Sequence, residues 1–328
     1  MCIRDSNYYW SRTTDLLTRK AVSDITGLSY MWANDGELEN RGVEFNAHAV
    51  LLNHRNWKWQ AGFTVGHYQN EITKLPESNL NYIKSYTLDE NGKKVMASEQ
   101  LMHGYTSSIY GTDNVLTAVG RPVGVFYGYK TNGVFASDED ASKAGKFGYL
   151  RYPTGLSQSP YRNFKGGDVH FVDQNGDGWI SEADMVEIGD PNPDIYGNIY
   201  TSLTWKSLTL SLDFKYSLGN DIFNYQRSML EGANNIYNQT TAVVNRWKYN
   251  GQVTDVPRTM ASDNDQWVNN ERFSDRWIED GSYLKLKKVR LTYKVPLSLS
   301  WLQGVSVWGE ANNVFLSLIH ISEPTRPY

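Results

Sequence analysis

In the stretch 208–217, LTLSLDFKYS, every second residue is apolar. Leu208, Leu210, Leu212, Phe214 and Tyr216 fall on one face of an extended chain, and Thr209, Ser211, Asp213, Lys215 and Ser217 on the other. Such alternation predicts a β-strand with one apolar and one polar face. The polar face carries both charge signs, which suits a strand set between lipid and a wet lumen. The same pattern aligns Val43, Phe45, Ala47, Ala49 and Leu51; Trp57, Trp59, Ala61, Phe63 and Val65; and Val289, Leu291, Tyr293 and Val295. A weaker version covers 305–315, and 199–205 leads through Lys206 and Ser207 into the first strand.

The connections alternate in length. Short turns are expected at 53–56, 206–207 and, somewhat longer, 296–304; long polar stretches occupy 18–39, 73–196 and 218–280. An outer-membrane barrel has this asymmetry, with short turns on the periplasmic side and long loops outside. A soluble β-sandwich with decorated loops explains the strands but not the alternation of loop lengths. The stretch 73–196 is long enough to need structure of its own. Within it, 123–135 predicts a hairpin turning at Thr131, Asn132 and Gly133, and 138–146 a short helix.

One local motif has a defined chemistry. Over 173–184, Asp173, Asn175, Asp177 and Gly178 match the calcium-loop pattern D-x-[DN]-x-[DN]-G. Calcium takes six to eight oxygens. Asp173, Asn175 and Asp177 supply side-chain oxygens in this reading, Trp179 its backbone carbonyl, Ser181 a direct or water-borne contact, and Asp184 closes the loop where an EF-hand has glutamate. Calcium is the one cofactor the sequence suggests. The alternative is an acidic turn whose side chains cap their own backbone. His48, His54, His67, His103 and His170 have no metal spacing, and no nucleophile, phosphate-loop or zinc-protease motif occurs, so no catalytic residue is assigned.

Composition narrows the picture. The net charge of −4 gives no basic footprint for nucleic acid. No apolar run approaches the ~20 residues of a spanning helix. The single cysteine, Cys2, lies in an end that reads as something other than protein. Residues 1–6, MCIRDS, match the translation of a transposon end used in sequencing libraries, and 316–328, LSLIHISEPTRPY, match its reverse complement followed by adapter. The biological sequence is therefore expected to be 7–315, without cysteine and without thiol chemistry.

Six segments stand out in order: YYWSRTTDLL (8–17), LENRGVEF (38–45), VGRPVGVFYGYKTNGVF (119–135), GDVHFVDQNGDGWISEADMVEIGDPNPDIYGN (167–198), SDRWIEDGSYLKLKKVRLTY (274–293) and VWGEANNVF (307–315). In this order they resemble the SusC/RagA family of TonB-linked outer-membrane transporters. The segment ending in PNP and the GSYLKL segment set the chain apart from siderophore or vitamin receptors, which share the barrel and form the second reading. A secreted, calcium-stabilised glycan-binding sandwich is the third. The resemblance implies an all-β fold: the C-terminal part of a transmembrane antiparallel barrel of roughly 22 strands with a plugged lumen. It implies a non-enzymatic importer of glycan fragments or peptides. A SusD-like surface lipoprotein and the TonB complex would be its partners, the latter reached through an N-terminal part outside this sequence.

Overall fold

The computed structural model describes residues 2–88, 94–109, 112–144, 146–148, 161–232, 238–259, 270–296 and 304–318. Its largest element is a seven-stranded antiparallel sheet in which sequence neighbours are spatial neighbours. The strands are β1 (Cys2–Ala21), β2 (Tyr30–His54), β3 (Trp57–Lys74), β4 (Ile195–Trp205), β5 (Leu208–Leu218), β6 (Tyr283–Val295) and β7 (Val305–Leu318). This is the up-and-down wall of a partial barrel. Backbone pairing does not depend on side chains, and the outermost strands run on through the adapter-like residues 2–6 and 316–318.

The ladders bring the alternating patterns into one register. Leu212 lies opposite Thr201, Thr201 opposite Ala61, and Ala61 opposite Ala49; on the other side Leu212 faces Val289 and Val289 faces Ala311. Residues directly opposite share a face, so the apolar positions read from separate strands join into one surface. Its large side chains stand open: Phe63 is 44% exposed, Ile199 46% and Leu291 46%. A contiguous apolar surface of this size needs a covering phase. From Leu208 to Tyr216 it spans the ~9–11 residues a tilted strand uses to cross a bilayer. At its upper edge, Tyr8 and Trp10 are followed by ion pairs, Arg12–Glu37, Arg41–Glu39 (3.0 Å) and Lys74–Asp35 (2.6 Å). Aromatics and then charges mark the boundary of an apolar band.

The short turns are as expected. Two residues join β2 to β3 and two join β4 to β5, with Arg55 at φ +37° and Lys206 at φ +52°, the left-handed backbone that two-residue hairpins require. The connection 296–304 lies largely outside the described residues. The stretch 18–39 is a correction: β1 continues to Ala21 and β2 begins at Tyr30, so the loop is only 22–29. Above the lipid band alternation is no longer imposed, and backbone ladders with the ion pairs carry the strands.

The two long insertions, 75–194 and 219–282, hold the buried core. The first contains a five-stranded antiparallel sheet, ordered Val186–Gly189, Val125–Gly128, Thr112–Ala118, Lys94–Ile109, Leu80–Leu88. Tyr129, Phe135, Phe164, Val169, Phe171 and Ile180 form its main apolar cluster. The expected helix is present as α1 (Asp138–Lys143), capped by Ser137, whose hydroxyl accepts from the Asp140 N–H at 3.1 Å. The expected hairpin at 123–135 is not. Val125–Gly128 pairs with Val186–Gly189, and Thr131–Val134 pairs with Val169–Phe171. The Asp275 carboxylate takes the Thr131 N–H at 3.0 Å and its hydroxyl at 2.6 Å, which turns the chain away from its own preceding strand.

One glycine in the wall allows a close crossing. A Cβ on Gly197 would lie 2.0 Å from the Thr64 carbonyl oxygen, a backbone atom unable to step aside. Gly197→Ala is therefore expected to destabilise the wall by about 1–3 kcal/mol, read as a lower denaturant midpoint with an unchanged slope.

Candidate functional site

Two regions hold the candidate functional side chains: the lumenal face of the wall and the acidic loop. On the lumenal face, tyrosines lie flat over glycines of the neighbouring strand. Tyr9 covers Gly42, Tyr196 covers Gly66 and Tyr200 covers Gly62; a Cβ at Gly66 would sit 2.6 Å from the Tyr196 ring. Each pair is directly opposite across its ladder. Glycine with aromatic cover keeps a strand paired while lowering its surface. The Tyr196 hydroxyl donates to Glu44 at 3.2 Å, and His48 packs on Tyr200 at 5.8 Å between ring centres. Above them opens a pocket of about 440 Å³, lined among others by Glu44, Asn46, Thr64, Tyr196, Asn198 and Lys215. Its polar groups are carboxylate, ammonium, carboxamide and hydroxyl, all able to hydrogen-bond a polar solute.

The acidic loop brings Asp173, Asn175, Asp177, Trp179 and Asp184 into one compact turn. Asp173 accepts from the N–H groups of Gly176 (2.7 Å) and Gly178 (2.8 Å). Asn175 accepts from Asp177 N–H, and Asp177 from Trp179 N–H. Gly176 and Gly178 take φ +71° and +80°, which allows consecutive N–H groups to point inward. Asp184 is fully buried and accepts from Gln174 at 2.9 Å and Ser181 at 2.6 Å, in a reciprocal capping box with Ser181. Burial pushes its carboxyl up to about 6, and the charges of Asp173 and Asp177 push the same way against the two N–H bonds. Trp179 and Ile180 pair in parallel with Lys146 and Phe147. Among the described residues no three His, Cys, Asp or Glu side chains gather as a metal donor set. The turn is thus closed by its own backbone donors.

The sign of a pH effect follows. The folded-state value of Asp184 lies above its ordinary value of 3.8. Its contribution is full below that value and is lost as pH rises through about 6. Hydrogen exchange at Gln174 and Ser181, corrected for intrinsic rates, is expected to show less protection at pH 7 than at pH 5. Asp184→Ala should remove the difference and cost about 1–3 kcal/mol of local stability, with two buried donors left unsatisfied.

The motifs that carried the family resemblance turn out to be joints. Asn192, in the PNP segment, accepts from Tyr68 Oη (3.2 Å) and Asn70 Nδ2 (2.9 Å) on β3, and donates to the Val123 carbonyl (2.9 Å) in the insertion. Gly124, at φ +87°, packs against Pro191. In the DGSY segment, Asp280 accepts from Ser282 N–H, and the Ser282 hydroxyl accepts from Gly219 N–H at 2.9 Å. Asp221 accepts from Asp190 N–H, and burial raises its carboxyl above the ordinary value, helped by Asp280, Asp190 and Asp194. Sequence reasoning missed these roles because each motif meets its partners only across the sheet. It also missed the buried pair Asp168–Arg258 (2.6 Å) and the network in which Arg227 bonds both Glu231 and Glu279. No local pattern links residues 90 positions apart.

No family model matches the chain. Among curated proteins it is 30% identical over 311 residues to TonB-dependent receptor P3 of Formosa agariphila, covering 94% of this chain and 27% of that receptor. It is 28% identical to TonB-dependent receptor P26 of the same organism, covering 91% and 26%. It is 22% identical to TonB-dependent receptor SusC of Bacteroides thetaiotaomicron, covering 87% and 23%. Among solved structures, the RagAB peptide transporter superposes with a TM-score of 0.67 at 21% identity, covering 97% of this chain and 30% of the matched one. The chain thus spans about a quarter of the length of the curated relatives it matches. Over nearly its whole length the chain is SusC/RagA-like, similar in sequence to a portion of TonB-dependent receptors that include SusC and in fold to a portion of the RagAB transporter.

Proposed function

We propose that the whole protein resides in the outer membrane and imports a nutrient, driven by the TonB complex and assisted by a SusD-like surface lipoprotein. The observation carrying this reading is the wall, with an apolar band outside and a polar pocket, bordered by Tyr196, inside. Glycan fragments or peptides are the proposed cargo, and no step needs a catalytic group. In a host deleted for its own receptor, the complete gene with its lipoprotein neighbour should restore uptake of the cognate nutrient. Deleting the TonB segment should abolish uptake and leave surface binding intact. Uptake that persists without that segment would refute active transport.

For the acidic loop, the hydrogen bonds favour a self-capped turn over a calcium site. In the full-length protein, protease sensitivity at 173–184 should be the same with and without chelator, and Asp177→Ala should raise it. Protection that depends on added calcium would instead assign the ion to Asp173, Asn175, Asp177, the Trp179 carbonyl and Asp184.

A further inference from the structure

On the lumenal face Lys215 of β5 lies directly opposite Lys285 of β6. Like charges directly opposite each other destabilise a sheet, so their presence needs an anion to explain it. Among the described residues neither lysine is in ion-pair contact with a carboxylate, and the residue opposite Lys285 on β7 is Leu316, in the adapter-like end. The next lumenal pair along the same two strands, Asp213 with Lys288, is balanced, which leaves an excess positive charge at the Lys215 end. Lys215 continues one cross-strand row of hydrogen-bonding side chains, Asn198, Thr64 and Asn46, all four lining the pocket of about 440 Å³, and the row runs on to Asp5 in the adapter-like end. Glu44, on β2, also lines the pocket, three strands from Lys215, about 14 Å at ~4.8 Å per strand, with Asn7 of β1 beyond it. The row is near the upper end of β4 and β5, on the side of the long insertions, where a solute arriving from outside meets the wall.

We propose that Lys215 and Lys285 form a carboxylate-binding element on the lumenal wall, so that the ligand carries at least one carboxylate, either a peptide C-terminus or a uronic acid. This rests on the import reading, but its test is binding by the full-length protein in detergent and needs no energised transport. The probes are tetra-alanine, its C-terminal amide, a galacturonate tetramer and a neutral galactose tetramer, titrated calorimetrically. The proposal predicts that one carboxylated probe binds at least about tenfold tighter than its neutral counterpart. Which pair discriminates tells peptide from uronate. Lys215→Met/Lys285→Met should abolish the preference, while Lys58→Met, near the short turns, should retain it. Equal binding of charged and neutral probes, no measurable binding of any probe, or a preference that survives the double substitution each overturns the proposal. So does a double variant that loses thermal stability with its preference unchanged, since the lysines would then pair with another part of the receptor.

Discussion

Arginine at position 212 is expected to unfold the barrel wall where arginine at position 211 is tolerated. Leu212 sits at the middle of the apolar run on β5, opposite Thr201 and Val289, on the face whose side chains stand open. In a bilayer that face meets hydrocarbon, and an arginine near the midplane costs about 2–4 kcal/mol. Ser211 is one residue away, opposite Ser202, to which its hydroxyl is hydrogen-bonded at 3.2 Å on the wet face. Losing that one part-buried bond between two neutral hydroxyls costs about 1 kcal/mol or less. Both variants are made in the full-length receptor, reconstituted in vesicles and titrated with urea. A shift of several kcal/mol for Leu212→Arg and under about 1 kcal/mol for Ser211→Arg is the expected pair. Equal shifts would mean that neither face meets lipid.

The second large effect is expected at Asp168 and Arg258. Asp168 is fully buried and Arg258 is 16% exposed; the guanidinium Nε donates to the carboxylate at 2.6 Å, tying the first insertion to the second. Lys165 N–H also donates to Asp168, and the Gly167 carbonyl accepts from Arg258 N–H at 2.8 Å. Removing one partner of a buried pair leaves an uncompensated charge and costs about 3–5 kcal/mol. Arg258→Ala should therefore open both insertions to proteolysis while the wall keeps its heat resistance on gels. Asp168→Asn/Arg258→Met should recover part of the loss, because the buried charge disappears with its partner. If Arg258→Ala lowers wall and insertions together, the insertions do not form a separate cooperative unit.

The wall was legible in the sequence because lipid outside and water inside impose a period of two on every strand, and β5 shows it without a break. Turn positions followed from the same constraint. Beyond the apolar band that constraint lapses, so the end of β1 from Thr18 and the start of β2 as far as Glu39 read as loop. The 123–135 segment failed for another reason. Its glycines and Thr131 suit a local turn, yet the Asp275 carboxylate, 144 residues away, decides its path. Within the acidic loop the residue set was plain in the sequence: Asp173 and Asp184 have the oxygens a cation would use, and the structure adds that these oxygens accept backbone N–H groups, from Gly176 and Gly178 on Asp173 and from Gln174 and Ser181 on Asp184. The facing lysines at 215 and 285 could not be seen before the β5–β6 register was fixed, since a slip of one residue would have sent them to opposite faces.

The most direct test of the central claim is a spin-label scan of positions 208–217 in the full-length receptor reconstituted in lipid vesicles, reading collision with oxygen, which partitions into lipid, and with a water-soluble nickel chelate. Labels at 208, 210, 212, 214 and 216 should collide mainly with oxygen and those at 209, 211, 213, 215 and 217 mainly with nickel, alternating without a break. Nickel accessibility that is uniform along the strand, or oxygen accessibility without a period of two, would contradict a membrane wall and favour a soluble sheet.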